Sequence, residues 1–174
     1  MKMGAKSLIF GVHHILWHPF TVCIAWIELY GVPNWKELVC IFIHDWGYYD
    51  CSNMDGPEGV NHPLLAAEIA EKYLDAPNST RYHDLCLYHS RTTASKYNTT
   101  PSKLCWSDKL SCKYDPWWFY IARGMLTGEI KEYRTNAARL GETPIECPHK
   151  TWYKQAREKQ MKRAYERDAT PAYE

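Results

Sequence analysis

The chain has 174 residues, 45% of them hydrophobic and 24% charged, with a formal net charge of +1. That length suits one domain with one core. The near-neutral balance argues against an extended nucleic-acid surface.

In chain order the sequence reads as helix after helix. Lys2 and Lys6 before an apolar stretch imitate a signal peptide, but His13 and His14 interrupt it and no small-residue cleavage site follows. Pro19 suits the first position of a helix running through TVCIAWIELY to Tyr30. The apolar run after Pro19 stops at Glu28, too short to span a bilayer. Gly31-Val32-Pro33 breaks the pattern, and Asn34 with Glu37 three residues on signals a capped start for the next helix. A Gly/Asp/Pro-rich loop covers 46–60. Asn61 and Pro63 open HPLLAAEIAEKYL, and YHDLCLYHS is a short helix. RTTASKYNTT, at 91–100, reads as a polar loop. Thr100-Pro101 precedes SKLCWSDKLSC, Asp115-Pro116 precedes WWFYIARGML, and a further helix covers about Glu129 to Leu140. The segment from Pro148 to Arg167 is basic and weakly amphipathic. It reads as a solvated helix, or alternatively as one that docks on a partner or gathers anionic ligands.

No run of alternating strands occurs, so the expected class is all-α. The expected layout is one domain over 1–147, with 148–174 as a basic C-terminal helix or tail packed on it or extending it. Seven cysteines are scattered without a CxxC pair, a pattern that favours reduced thiols and a cytoplasmic protein.

The chemistry lies in the histidines. Of eight, His18, His44, His62 and His89 fall at expected helix ends. The apolar run Ile41-Phe42-Ile43 ends in His44-Asp45, and Asp108 sits on an apolar face with Leu104, Cys105 and Cys112. Polar groups so placed are costly to desolvate without partners. Imidazole and carboxylate together suit a divalent transition metal. Adjacent residues inside a helix diverge by about 100°, but a helix terminus relaxes this and lets both members of the dyad reach one ion. Gly47 suits a sharp exit. Each residue alone is unremarkable, whereas the order H…HD…D is not.

That order resembles the HD-domain superfamily of metal-dependent phosphohydrolases. HPFTVCIA resembles the segment in which the first His opens a helix, VCIFIHDWG resembles the dyad segment, and WSDKLS resembles the segment of the last Asp; together they span about 14–125. The resemblance implies a compact helical bundle with the metal between helices. NHPLLAAEIA with His62, and LCLYHSR with His89, are similar to the extra histidine segments of binuclear members. On that likeness Asp45 would bridge two ions, with His18, His44 and Asp108 on one and His62 and His89 on the other. The alternative is a single ion with His62 and His89 as phosphate contacts. HDWGYYD lacks the Lys that often follows the dyad in the family.

The implied cofactor is one or two divalent ions of Mn, Fe, Co, Ni or Zn, or Mg. The implied reaction is hydrolysis of a phosphoester or phosphoanhydride, with a nucleotide as the expected substrate and Asp45 as the catalytic residue that orients or deprotonates the attacking water. The aromatic loop after the dyad, with Trp46, Tyr48 and Tyr49, should border the pocket, and the expected substrate contacts are Arg91, Lys109, Arg123, Trp46 and Tyr49. The expected partner is a small nucleotide-like molecule, with no membrane and with homo-oligomers allowed. The same six ligands also occur in di-iron HD-domain oxygenases, and a binding module without catalysis is a third reading. His13, His14 and His149 match no position of the pattern, and His83 is expected at the surface.

Overall fold

Asn34 caps its helix as the sequence implies. Its Oδ1 accepts the backbone N–H groups of Lys36 and Glu37, each at 3.0 Å. The Glu37 carboxylate accepts the Asn34 N–H at 2.8 Å, so three otherwise orphaned donors are satisfied. In the computed structural model, which describes residues 1–54 and 56–168, this helix is α3 (Trp35–Ile43).

Before it come α1 (Met3–Phe10) and α2 (Trp17–Tyr30). After it come α4 (Pro57–Val60), α5 (Pro63–Tyr73), α6 (Arg81–Leu87), α7 (Arg91–Lys96), α8 (Lys103–Ser111), α9 (Trp117–Thr127), α10 (Glu129–Arg139) and α11 (His149–Glu166). Two 3-10 turns, Trp46–Asp50 and Cys112–Tyr114, complete the regular structure. No described residue is in a strand, so the fold is all-α. Among the described residues no helix is long and apolar enough to cross a membrane.

The structure departs from the sequence reading in several places. The N-terminal stretch is a helix, α1. Helix α2 begins at Trp17, so Pro19 lies third rather than first. This is tolerated because the first four N–H groups of a helix have no internal partner. His14 lends Nδ1 as acceptor to the N–H groups of Leu16 and Trp17 at 3.3 Å and so caps this start. The expected polar loop at 91–100 contains α7, which Ser90 caps by accepting the Thr93 N–H at 3.3 Å. Residues 169–174 of the expected C-terminal segment lie outside the described residues.

The helices that carry the chemistry share one core. Val22 and Trp26 of α2, Cys40, Ile41 and Ile43 of α3, and Ala66, Ala67 and Ala70 of α5 pack with Tyr82, Cys86 and Leu87 of α6 and Leu104 of α8. A second cluster joins Ile121 of α9, Ile130 of α10, and Trp152 and Tyr153 of α11. A third, of Ala25, Leu110 and Ala164, seats α11 against α2 and α8. Small residues at these crossings allow close helix approach. The seven cysteines are all free thiols.

Buried Glu129 ties the first helix to this second cluster. It accepts from Ser7 Oγ at 2.5 Å and from the Val12 N–H at 3.1 Å, and lies 3.2 Å from His13 Nδ1. Burial would raise its carboxyl, but His13, Ser7 and Thr127 hold it below the usual range.

Candidate metal centre

The site stands where helix ends converge. His18 lies in the first turn of α2, His44 at the C-terminal end of α3 with Asp45 next, His62 immediately before α5, and His89 two residues beyond α6. Asp108 projects from within α8. Because these helices build the first core cluster, their packing sets the position of each functional group.

Three histidines are oriented the same way. His44 Nδ1 faces the Ile41 carbonyl at 2.7 Å, His62 Nδ1 faces that of Gly59 at 2.6 Å, and His89 Nδ1 faces that of Cys86 at 2.6 Å. A carbonyl oxygen only accepts, so each Nδ1 carries the proton and donates it. When neutral, each ring therefore presents Nε2 as a lone pair.

Those lone pairs meet at Asp45. Its Oδ2 lies 3.2 Å from Nε2 of both His18 and His44. Its Oδ1 lies 3.6 Å from Nε2 of both His62 and His89. His18 Nε2 is also 3.2 Å from Asp108 Oδ1, while Lys109 donates to Asp108 Oδ2 at 2.6 Å. The ligand atoms of His18, His44 and Asp108 all lie within 4.8 Å of one another, as do those of His44, Asp45 and His89.

The donor set fits a cation. His18 Nε2, His44 Nε2 and Asp45 Oδ2 are buried, yet none has a partner with hydrogen-bond geometry. They crowd together without pairing, as ligands of a common centre do. His62 Nε2 and His89 Nε2 are 2.8 Å apart. With both Nδ1 atoms protonated, that contact sets two lone pairs against each other. Ligands at about 2.0–2.1 Å from one ion, at right angles, would be separated by roughly 3 Å. Imidazole nitrogen and carboxylate oxygen without thiolate suit Zn, Mn, Fe, Co or Ni.

Electrostatics reinforce this. Burial would raise the Asp45 carboxyl, but the imidazoles of His44, His18 and His89 hold it well below the usual carboxylate range. Burial likewise opposes ionisation of Asp108, which Lys109 and His18 keep strongly acidic. Burial, with His89 beside it, pushes His62 well down, so its ring is neutral. His18 is the exception. Burial lowers it, yet Asp108 and Asp45 together raise it to about 9.

The expected substrate contacts divide. Arg91 is buried, and Arg91 and Lys109 line the cavity of about 230 Å³ beside Asp45, His62, His89 and Asp108. Arg123 does not reach it. Its guanidinium donates to the Asp115 carboxylate and, at 3.0 Å, to the Gly11 carbonyl, so it fastens α9 to the segment after α1. Trp46 and Tyr49 also fall outside the cavity lining and are exposed. Of the three aromatics expected to border the pocket, Tyr48 alone lines it, stacked on the His62 ring with centroids 3.9 Å apart. The reason is the 3-10 turn after the dyad: residues three apart eclipse, so Tyr48 falls on the side of Asp45.

His13 is a cavity residue that the sequence pattern does not single out. Its ring packs 5.5 Å from that of His18 and 5.0 Å from that of Tyr48, and Glu129 fixes its Nδ1 side. The adjacent pair His13-His14 is the only local signal, since Glu129 is remote in sequence. His83 is half-buried against Asp84, and His149 lies against Arg134, so neither joins the site.

Gly47 has a different role from a helix exit in the left-handed region, since its φ is not positive. A Cβ there would stand 2.0 Å from the His62 carbonyl oxygen and 2.9 Å from its Cα. Gly47→Ala must therefore displace the backbone that aims His62. We expect a loss of about 1–3 kcal/mol in stability and weaker uptake of added divalent metal. Thermal melts and metal analysis check this, and an unchanged melt with full metal loading would show that the close approach is immaterial.

A scan against protein-family models, a search of the curated proteins and a search of the solved structures each found no match to the chain.

Proposed function

We propose that this chain is an HD-domain metal-dependent phosphohydrolase that cleaves a phosphoester or phosphoanhydride bond in a nucleotide-like substrate. One observation carries the reading: a single carboxylate, Asp45, faces two imidazoles with each oxygen, while Asp108 completes one side. That arrangement supports two ions, with His18, His44 and Asp108 holding one, His62 and His89 the other, and Asp45 shared.

Divalent ions there would supply water of pKa lowered towards about 7 and Lewis acidity for a phosphoryl oxygen. The remaining work falls to the chain. Arg91 and Lys109, on the wall beside Asp45, neutralise phosphate oxygens and favour the more highly charged transition state. Tyr48 holds the His62 ring flat against it and so keeps its Nε2 aimed at Asp45. Both Asp45 oxygens already face imidazoles, which favours a positioning role for this carboxylate over proton abstraction.

The di-iron oxygenase reading shares these ligands, but the cationic wall favours an anionic substrate. Metal analysis of the purified protein, then a nucleotide panel read by phosphate release and product mass beside oxygen uptake, separates the two. Phosphate release with Mn or Co is the expected result. Bound iron with oxygen consumption and no phosphate would transfer the site to the oxygenase class, and a protein that takes up no metal would sink both.

A further inference from the structure

The cavity against Asp45 is small for a complete ligand. Its volume is about 230 Å³, whereas small-molecule sites usually occupy about 300–1,000 Å³. It adjoins a second cavity of about 550 Å³. His13, Tyr48, Arg91, Lys109 and Gln160 line both. The outer wall of the second cavity is α11, the helix beyond the segment that resembles the HD-domain family.

The composition of that cavity is one-sided. Arg91, Lys109, Arg157, Lys159 and Arg163 line it against one acidic side chain, Glu142, and Lys159 already pairs with Glu142. Lys109 is engaged by Asp108, and Arg163 lies 3.6 Å from Asp168. Arg157 has no ion pair among the described residues. Its place on the helix makes this notable. Tyr153, Arg157, Gln160 and Ala164 are spaced four, three and four apart, which puts them on one face. Tyr153 and Ala164 are buried, so that face points inward. Arg157 is half-buried and lines the cavity without a carboxylate partner among the described residues, so its guanidinium is available to an anion there.

We infer that the cavity walled by α11 is a second anion subsite of the same centre, which binds a further phosphate of a substrate carrying at least two. The role of this subsite in turnover rests on the phosphohydrolase reading, but its existence does not. The smaller cavity receives the reacting phosphate, and Arg157 receives the next.

The test uses the whole chain with metal removed, so that binding is read apart from hydrolysis. Calorimetric titration with inorganic pyrophosphate and, separately, orthophosphate should show pyrophosphate binding at least tenfold tighter. Arg157→Ala should abolish that preference and leave orthophosphate binding unchanged, while Arg157→Lys keeps most of it. The melting temperature of Arg157→Ala should stay level, because the half-buried guanidinium has no ion pair to lose among the described residues; a purely structural arginine would lower it. Equal affinity for the two anions in the native chain, or a preference that survives Arg157→Ala, overturns the subsite. Metal content and phosphate release, measured on the same preparations, show independently whether the hydrolase reading stands.

Discussion

Asp45→Ala should eliminate turnover while the far-ultraviolet circular dichroism spectrum keeps its helical form. No other residue of the cluster faces four imidazole nitrogens. Loss of a residue that merely supports a metal ligand costs roughly 10- to 100-fold in affinity or activity, and loss of a shared ligand should cost more than either. The fold should persist because the helices that carry the ligands are held by their own apolar cluster, to which Asp45 contributes nothing. Bound metal should fall to at most one ion per chain, held by His18, His44 and Asp108. Full activity in Asp45→Ala would mean that the chemistry happens elsewhere in the molecule.

Removal of metal should make stability depend on pH in a way the loaded protein does not show. In the metal-free fold Asp108 and Asp45 raise His18, against burial, from 6.5 to about 9. A group whose folded pKa lies above its unfolded value contributes stability fully below the unfolded pKa and loses it as pH rises through the folded one. The stripped protein should therefore lose up to about 3 kcal/mol between pH 6.5 and 9 from this residue. An ion bound by His18 displaces that proton, so the loaded protein should lack the loss. The melting-temperature gap between loaded and stripped protein should widen across that range. Metal affinity should move in the same direction, since each ligand must be deprotonated to bind. Parallel melting curves for the two forms from pH 6.5 to 9 would remove His18 from the ligand set.

The legible part of the site was the part written in local pattern. The Asn34 and Glu37 cap, the apolar approach to His44, and the breaks before His62 and Asp108 are short-range signals with direct backbone causes. What went unread depended on phase or on distant partners. Nothing in the sequence separates Trp46, Tyr48 and Tyr49; the 3-10 turn does, because it sets every third residue on the side of Asp45. Arg123 looked suited to phosphate because its fixed partner, Asp115, and the Gly11 carbonyl are contributed by other segments. Helix α7 hid in a polar stretch of low helix propensity, where a single side-chain cap at Ser90 and burial of Ala94 decide the matter.

Periodicity, capping and chain breaks act over a few residues, so the all-helical class and the order of imidazoles and carboxylates along the chain are written locally. Helix packing is what brings His18, His44, Asp45, His62, His89 and Asp108 to one centre, sets Tyr48 and His13 rather than Trp46 and Tyr49 beside it, and places Arg157 of α11 on the wall of the adjoining cavity. Those facts follow from helix packing, where a rotation of one position moves a side chain by about 100° and no local signal records which face meets a neighbour.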